Sequence, residues 1–340
     1  MALIATGSKS NTTKFPMNIL VFGKDGQLGK AFRVLFDAVA LPDKVNIQYV
    51  GRTECDLSNG EALNALLAKE KPSLIINASA YTAVDKAETE IDMAYAINAR
   101  APEFMAQYAS QHGATFLHYS TDYVFDGSKD GWYVEDDVRN PLGVYGKSKA
   151  AGELAIEKAF ANSSLGQFAI FRTSWVYGDG GNFIRTMLRL AKDREELKVI
   201  HDQHGAPTSA NWLAKVSLSL ALDEHFKIKK FASGIYHAVP AGETTWHGLA
   251  CLAIQTALDA GITLKAKPGA IKPIPAIEYP LPAPRPMNSR MESAKLRHAL
   301  QGSLLEASNS YNEPQNMPNF PVWDGIVQEY VSKLAADGLI

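Results

Sequence analysis

The chain has 340 residues, with 34 Lys and Arg against 36 Asp and Glu and a formal net charge of -2, so it lacks the basic footprint that nucleic acid or an anionic membrane surface requires. No apolar run reaches the length of a membrane span, and its two cysteines, Cys55 and Cys251, form neither a metal-binding spacing nor a disulfide framework. What remains is a chain long enough for one large core or two smaller ones, suited to a reducing cytoplasm.

Residues 1–16 carry Ser, Thr, Asn and Lys without the apolar centre of a signal peptide, which predicts a disordered extension. The run Met17 to Phe22 is apolar and ends in Gly23-Lys24-Asp25-Gly26-Gln27-Leu28-Gly29, after which Ala31, Phe32, Leu35 and Phe36 recur with helical periodicity. That is a strand, a glycine turn and a helix. Glycines let a backbone approach a pyrophosphate, and a helix start offers free N–H groups with a positive dipole end, so Gly23, Gly26, Gln27, Leu28 and Gly29 are candidates for a dinucleotide site.

Further strands are predicted at Val45 to Val50, Ser73 to Asn77, Thr115 to Tyr119 and Gln167 to Arg172, alternating with helices near Glu61 to Lys69, Met93 to His112 and Gly146 to Phe160. Such alternation predicts an α/β fold: a Rossmann-like, doubly wound parallel sheet with ligands at the carboxyl ends of its strands. Beyond Arg172 the pattern is less regular. A strand candidate at Gly234 to Val239 and helices near Trp246 to Ala260 and Pro321 to Leu334 follow, and the prolines from Pro273 to Pro286 bar helix and central strand. The expected organisation is an NAD(P)-binding Rossmann domain over 17–178, to which 209–240 returns. A smaller C-terminal substrate-binding lobe would come mainly from 179–208 and 241–340.

The chemistry sits at Ser120-Thr121-Asp122-Tyr123-Val124-Phe125 and Tyr145-Gly146-Lys147-Ser148-Lys149. Tyr145 and Lys149 are four residues apart, so on a helix they share a face, and a buried ammonium there would lower the phenol's pKa. Thr121, at the end of a strand, could hold a carbonyl oxygen while Tyr145 gives it a proton and a reduced cofactor supplies a hydride. The third strand ends in small residues followed by Ala80, Tyr81 and Thr82, suited to a flat cofactor, whereas Asp85, Lys86 and Glu88 read as charges that cap and solvate the next helix. After the second strand, Arg52 suits the extra phosphate of NADP, with Asp56 and Leu57 bordering the adenine; the expected cofactor is NADPH, with NADH as the alternative.

The Gly-x-x-Gly-x-x-Gly turn and the Tyr-x-x-x-Lys pair together resemble the short-chain dehydrogenases. Adding Asn77 to Glu88, Phe171 to Tyr177, Asp202 to Thr208 and Arg285-Pro286-Met287-Asn288-Ser289-Arg290, the chain resembles the dTDP-4-dehydrorhamnose reductase family over nearly everything after residue 16. The resemblance implies reduction of the C4 ketone of dTDP-4-dehydro-β-L-rhamnose to dTDP-L-rhamnose in the cytoplasm. It makes Tyr145 the proton donor and Lys149 its ribose-binding partner, and places Thr121 and Asp122 at the reacting end of the sugar. Trp175 and Val84 would flank the pyranose ring, and Tyr119 would join Gly26, Gln27, Leu28, Asp56, Leu57, Ala80, Tyr81 and Thr82 on the cofactor.

An indole face packs well on the C–H surface of a sugar, which gives Trp175 a physical rationale. For the diphosphate of the substrate, Arg285 is the candidate, with Arg290 second. Some relatives are described as Mg-dependent homodimers with interfacial acids. Glu195 and Glu196 fall in the corresponding segment, but an exposed acidic helix end accounts for them as well, so the metal stays unassigned and a homodimer stays open. Two other readings share the motifs: a regulatory subunit resembling the methionine adenosyltransferase β chain, and a reductase or epimerase of another nucleotide sugar.

Overall fold

The computed structural model describes residues 17–305 and 320–340, and the extension expected at 1–16 lies outside them. Six strands form the central sheet: Met17–Phe22 (β1), Val45–Val50 (β2), Leu74–Asn77 (β3), Thr115–Thr121 (β4), Gln167–Thr173 (β5) and Gly234–His237 (β6). Every pairing is parallel, in the order β6-β5-β4-β3-β1-β2. The order reverses between β1 and β3, and a doubly wound sheet opens its ligand crevice at the carboxyl ends beside such a reversal.

The helices are Gln27–Asp37 (α1), Gly60–Glu70 (α2), Ala101–His112 (α3) and Val144–Phe160 (α4), then Phe183–Asp193 (α5), Ala210–Ala221 (α6), Trp246–Asp259 (α7), Ala294–Leu305 (α8) and Trp323–Ala336 (α9). Strand side chains alternate between two cores, as the pleat dictates. Ile19 and Val21 of β1 pack with Phe32 and Phe36 of α1 and with Leu213 and Leu220 of α6. Leu20 and Phe22 pack on the opposite face with Leu63 of α2, Met105 of α3 and Ile156 of α4. A third core joins α5, α7 and α9 with the parallel pair Leu197–Ile200 and Ile271–Ile274.

Two expectations change, and that for the prolines is filled in. The helix expected from Met93 to His112 is instead Ile91–Tyr95, a π-turn at Ala96–Arg100 and α3. The turn coincides with Asn98, whose buried amide bonds both backbone groups of Tyr81 and the Ser148 hydroxyl. The proline-rich stretch holds a strand, Ile271–Ile274, and a 3-10 turn, Ala276–Glu278; Pro273 is tolerated because a two-stranded ribbon consists only of edges. Helices α5 and α6, which the irregular reading after Arg172 missed, begin at side-chain caps from Asn182 and Ser209.

One ion pair fixes α4 on the sheet. Glu153 is fully buried and takes two bonds from Arg172 of β5, at 2.9 and 2.8 Å, with a third from Arg139, which also reaches Glu157 at 2.8 Å. Removing the carboxylate strands two cations at the heart of the fold. Glu153→Ala should therefore lower the unfolding free energy by about 3–5 kcal/mol, read as a fall in urea midpoint at constant slope; an unchanged midpoint would show that the arginines are satisfied by other groups.

Candidate active site

A cleft of about 1030 Å³ opens at the carboxyl ends of β1, β3, β4 and β5, with Trp175 and Trp246 on its far wall. At one end lie Gly23, Gly26, Gln27 and Leu28, where β1 turns into α1. Gly23 has φ +83°, and a Cβ there would come within 2.7 Å of the Ala78 backbone, so the turn needs glycine to pass beneath the end of β3. Gly29 does not line the cleft. A Cβ on it would strike the Gly23 carbonyl at 2.0 Å, so its role is to let the helix pack on its own turn.

The start of α1 suits a pyrophosphate. Its N-cap, Gly26, gives no side-chain cap and its first turn holds no acid, which leaves the leading N–H groups free to meet an anion at the positive end of the dipole. Arg52, Asp56 and Leu57 line the same end past β2, with Arg52 exposed. Beside them Glu54 accepts from Lys24 and from the Gly51 amide, and these bonds hold its carboxyl down at about 2. Ala80, Tyr81, Thr82 and Val84 follow β3 along the cleft, where Tyr81 donates its hydroxyl to Glu90 at 2.7 Å.

Tyr119, Thr121, Asp122, Tyr145 and Lys149 converge at the other end. Glu88, expected to cap and solvate the next helix, instead accepts the Val144 N–H at 2.8 Å and so caps α4, the helix that presents Tyr145 and Lys149. Thr121 donates its hydroxyl to Asp122 at 2.8 Å and accepts from the Tyr123 amide, and the Tyr145 phenol lies within hydrogen-bonding reach of the same hydroxyl. To grip a carbonyl oxygen, it would have to turn that proton away from Asp122.

Lys149 is buried and donates to the Tyr119 carbonyl, with the His118 Nε2 atom 3.3 Å away. Burial lowers it to about 8 against a weaker upward pull from Glu153. The phenol of Tyr145 is raised to about 12, by burial and then by Asp122, with the Thr121 bond opposing. The expected lowering by Lys149 is thus overturned, because desolvation of the phenolate outweighs it and the amine is directed at β4.

The Trp175 backbone lies in the left-handed region at φ +48°. Its indole stacks on Trp246 with centroids 3.8 Å apart and planes 19° from parallel, and Trp246 is tied to Gln203 at 3.2 Å. Gly205 lies against the same ring, where a Cβ would come within 2.8 Å of Cε2 and Cζ2. Such an outlier persists only where the surroundings over-determine it.

The family model described as the RmlD substrate binding domain matches residues 17–312. The chain belongs to this family. It is 45% identical over 289 residues to the dTDP-4-dehydrorhamnose reductase of Shigella flexneri, covering 83% of this chain and 91% of that protein. Identity to the reductase of Escherichia coli K12 is 44% at the same coverage. Among solved structures, a dTDP-4-dehydrorhamnose reductase from Clostridium acetobutylicum superposes with a TM-score of 0.76 at 33% identity, covering 94% of this chain and 99% of that one. The Bacillus anthracis reductase, solved in complex with NADP, gives 0.75 at 28% identity, covering 94% and 100%.

Within this RmlD-family chain, Arg285 departs from its expected place. It does not line the cleft: its guanidinium grips Asp85 through two bonds of 2.7 and 2.9 Å and also reaches the Ala283 carbonyl. Its charge is paired with a carboxylate, and Asp85, expected to solvate a helix, instead ties Val84–Ala87 to the proline-rich segment. Arg290 pairs with Glu243 at 3.1 Å. Glu196 pairs with Lys272, and no group of acids, histidines or cysteines among the described residues could hold a metal. None of the described helices is long and apolar enough to cross a membrane.

Two residues of the site escaped the sequence reading. Trp246 lay inside a recognised helix, with nothing local to show that its first residue faces Trp175. Ser289 was noted only as part of a motif; in the fold its hydroxyl donates to the buried Asp122 carboxylate. Burial raises Asp122 to about 6 from 3.8, with the Ser289 and Thr121 bonds opposing. The folded chain thus keeps a proton between about pH 4 and 6 that the unfolded chain has released, so the stability from this group is full below that window and lost as pH rises through it. Asp122→Asn should gain stability relative to the parent as pH climbs from about 4 to about 7, by thermal melts in parallel buffers. A constant difference would mean that the carboxyl titrates alike folded and unfolded.

Proposed function

We propose that this chain reduces the C4 ketone of dTDP-4-dehydro-β-L-rhamnose to dTDP-L-rhamnose with NADPH, accepting NADH less well, as a cytoplasmic biosynthetic enzyme. The observation that carries the reading is one cleft with an uncapped glycine-rich helix start at one end and Thr121, Tyr145 and Lys149 at the other. The names of its relatives supply the sugar. The bound cofactor supplies the hydride that becomes the new C4–H bond.

The chain's own residues do the rest. With its phenol raised to about 12, Tyr145 is fully protonated near neutrality, the form a donor to the ketone oxygen needs. The proton leaves as the alcohol forms, and the phenolate regains one from solvent. Lys149 holds the cofactor ribose. Thr121 and Asp122 meet the reacting end of the sugar, and the Trp175 indole and Val84 enclose the ring and exclude water. Arg52, exposed at the mouth, meets the 2′-phosphate of NADPH.

Two variants test this. With the ketone made in situ, Tyr145→Phe should still bind NADPH but lose about a hundredfold or more in kcat, and near-normal turnover would remove Tyr145 from the mechanism. NADPH binding by the parent chain without any turnover would favour a regulatory subunit or a different nucleotide sugar. Arg52→Ala should weaken NADPH by roughly tenfold, the scale of one charge-assisted bond, and leave NADH unchanged; equal loss for both would refute its role at the phosphate.

A further inference from the structure

Behind the cleft, a buried histidine contacts the site without a part in the chemistry above. His118 lies on β4, fully buried beside Phe116, with its ring turned toward α4. It is the register partner of Asn77 on β3, and both ring nitrogens have polar neighbours: the Asn77 Nδ2 atom lies 3.1 Å from Nδ1, and the Lys149 Nζ atom 3.3 Å from Nε2.

The tautomer follows from the neighbours. The Asn77 Oδ1 atom accepts the Ser79 N–H at 3.2 Å, which turns the amide so that its NH₂ group faces His118. An NH₂ group cannot accept, so Nδ1 must carry the lone pair and the single proton of the neutral ring sits on Nε2. That proton points at Lys149. An N–H directed at an amine needs a lone pair there, so the contact favours the amine over the ammonium, in the same sense as burial. With its lone pair taken by His118 and one N–H by the Tyr119 carbonyl, Lys149 keeps one N–H for the cleft.

We propose that His118, oriented by Asn77, is a positioning residue that donates its Nε2 proton to Lys149 and so sets where that amine points and when it is charged. The inference rests on Lys149 holding the cofactor. The other charged or titratable groups facing the amine are Tyr145 one turn earlier on α4 and Glu153 one turn later, already shared between Arg172 and Arg139, with Asp122 just past the end of β4; the Tyr119 phenol lies on the opposite face of the sheet toward Ser217 of α6, and from β3 only the neutral Asn77 approaches.

Paired amide variants separate the two nitrogens. His118→Gln places an amide where Nε2 was and keeps a donor to Lys149, whereas His118→Asn reaches only the Nδ1 position. NADPH affinity measured against pH should show a break as Lys149 titrates. His118→Asn should move that break up by about one pH unit and weaken binding roughly tenfold, and His118→Gln should restore both. Identical breaks in all three proteins, or equal shifts in the two variants, would overturn the inference and leave the cofactor reading intact; absence of NADPH binding by the parent at any pH would overturn both. Nitrogen NMR of the unaltered protein tests the same point without a buried substitution, since the His118 ring should be protonated at Nε2 and bare at Nδ1. The opposite tautomer would overturn the assignment.

Discussion

The site depends on the rotation of one helix about its axis. Tyr145, Lys149 and Glu153 follow each other at four-residue intervals along α4, so the orientation that buries Glu153 between Arg172 and Arg139 also turns the phenol and the amine toward the end of β4. A carboxylate in that place could not remain charged alone, and the two guanidinium groups keep it below the ordinary carboxylate range despite burial. Glu88 fixes the start of the same helix by capping Val144. Pinned at both ends of the face that carries the phenol and the amine, α4 has little freedom to roll.

Around that helix, burial sets the charge states. Taking the phenol, the amine and the Asp122 carboxyl out of water moves each toward its neutral form: Tyr145 to about 12, Lys149 to about 8 and Asp122 to about 6. Three groups that would be a neutral phenol, a cation and an anion in water become a weaker acid, a weaker base and a carboxyl that holds its proton into mildly acidic solution. Ser289, reaching in from the far end of the chain, makes the state of Asp122 sensitive to the seating of the segment that carries it.

Much of this was legible in the order of residues because it is local. The glycine turn after β1, the strands of the sheet and the Tyr145–Lys149 spacing are each set within a few residues by periodicity and backbone sterics, and they lie where they were expected. The parts that were not legible join distant stretches. Asp85 meets Arg285 across 200 positions, and Asp122 meets Ser289 across 167. A charge near a proline reads as a free ligand until its partner is in view. The His118–Asn77 contact is nearer in sequence, at 41 positions, yet depends on the register of two strands, which local pattern leaves open. The π-turn at Ala96–Arg100 was hidden because helical periodicity on either side masks one extra residue.

The left-handed backbone of Trp175 carries one more implication. A bulky residue held there costs about 1–3 kcal/mol that glycine would not incur, and the stack on Trp246 and the notch at Gly205 compensate only while the indole is present. Glycine at position 175 would relieve that strain but forfeit the stack and leave a cavity, a loss on the order of 3–5 kcal/mol for a tryptophan in a core. The unusual backbone and the indole that occupies it therefore stand or fall together, and a smaller residue there would loosen the contact between the end of β5 and the start of α7.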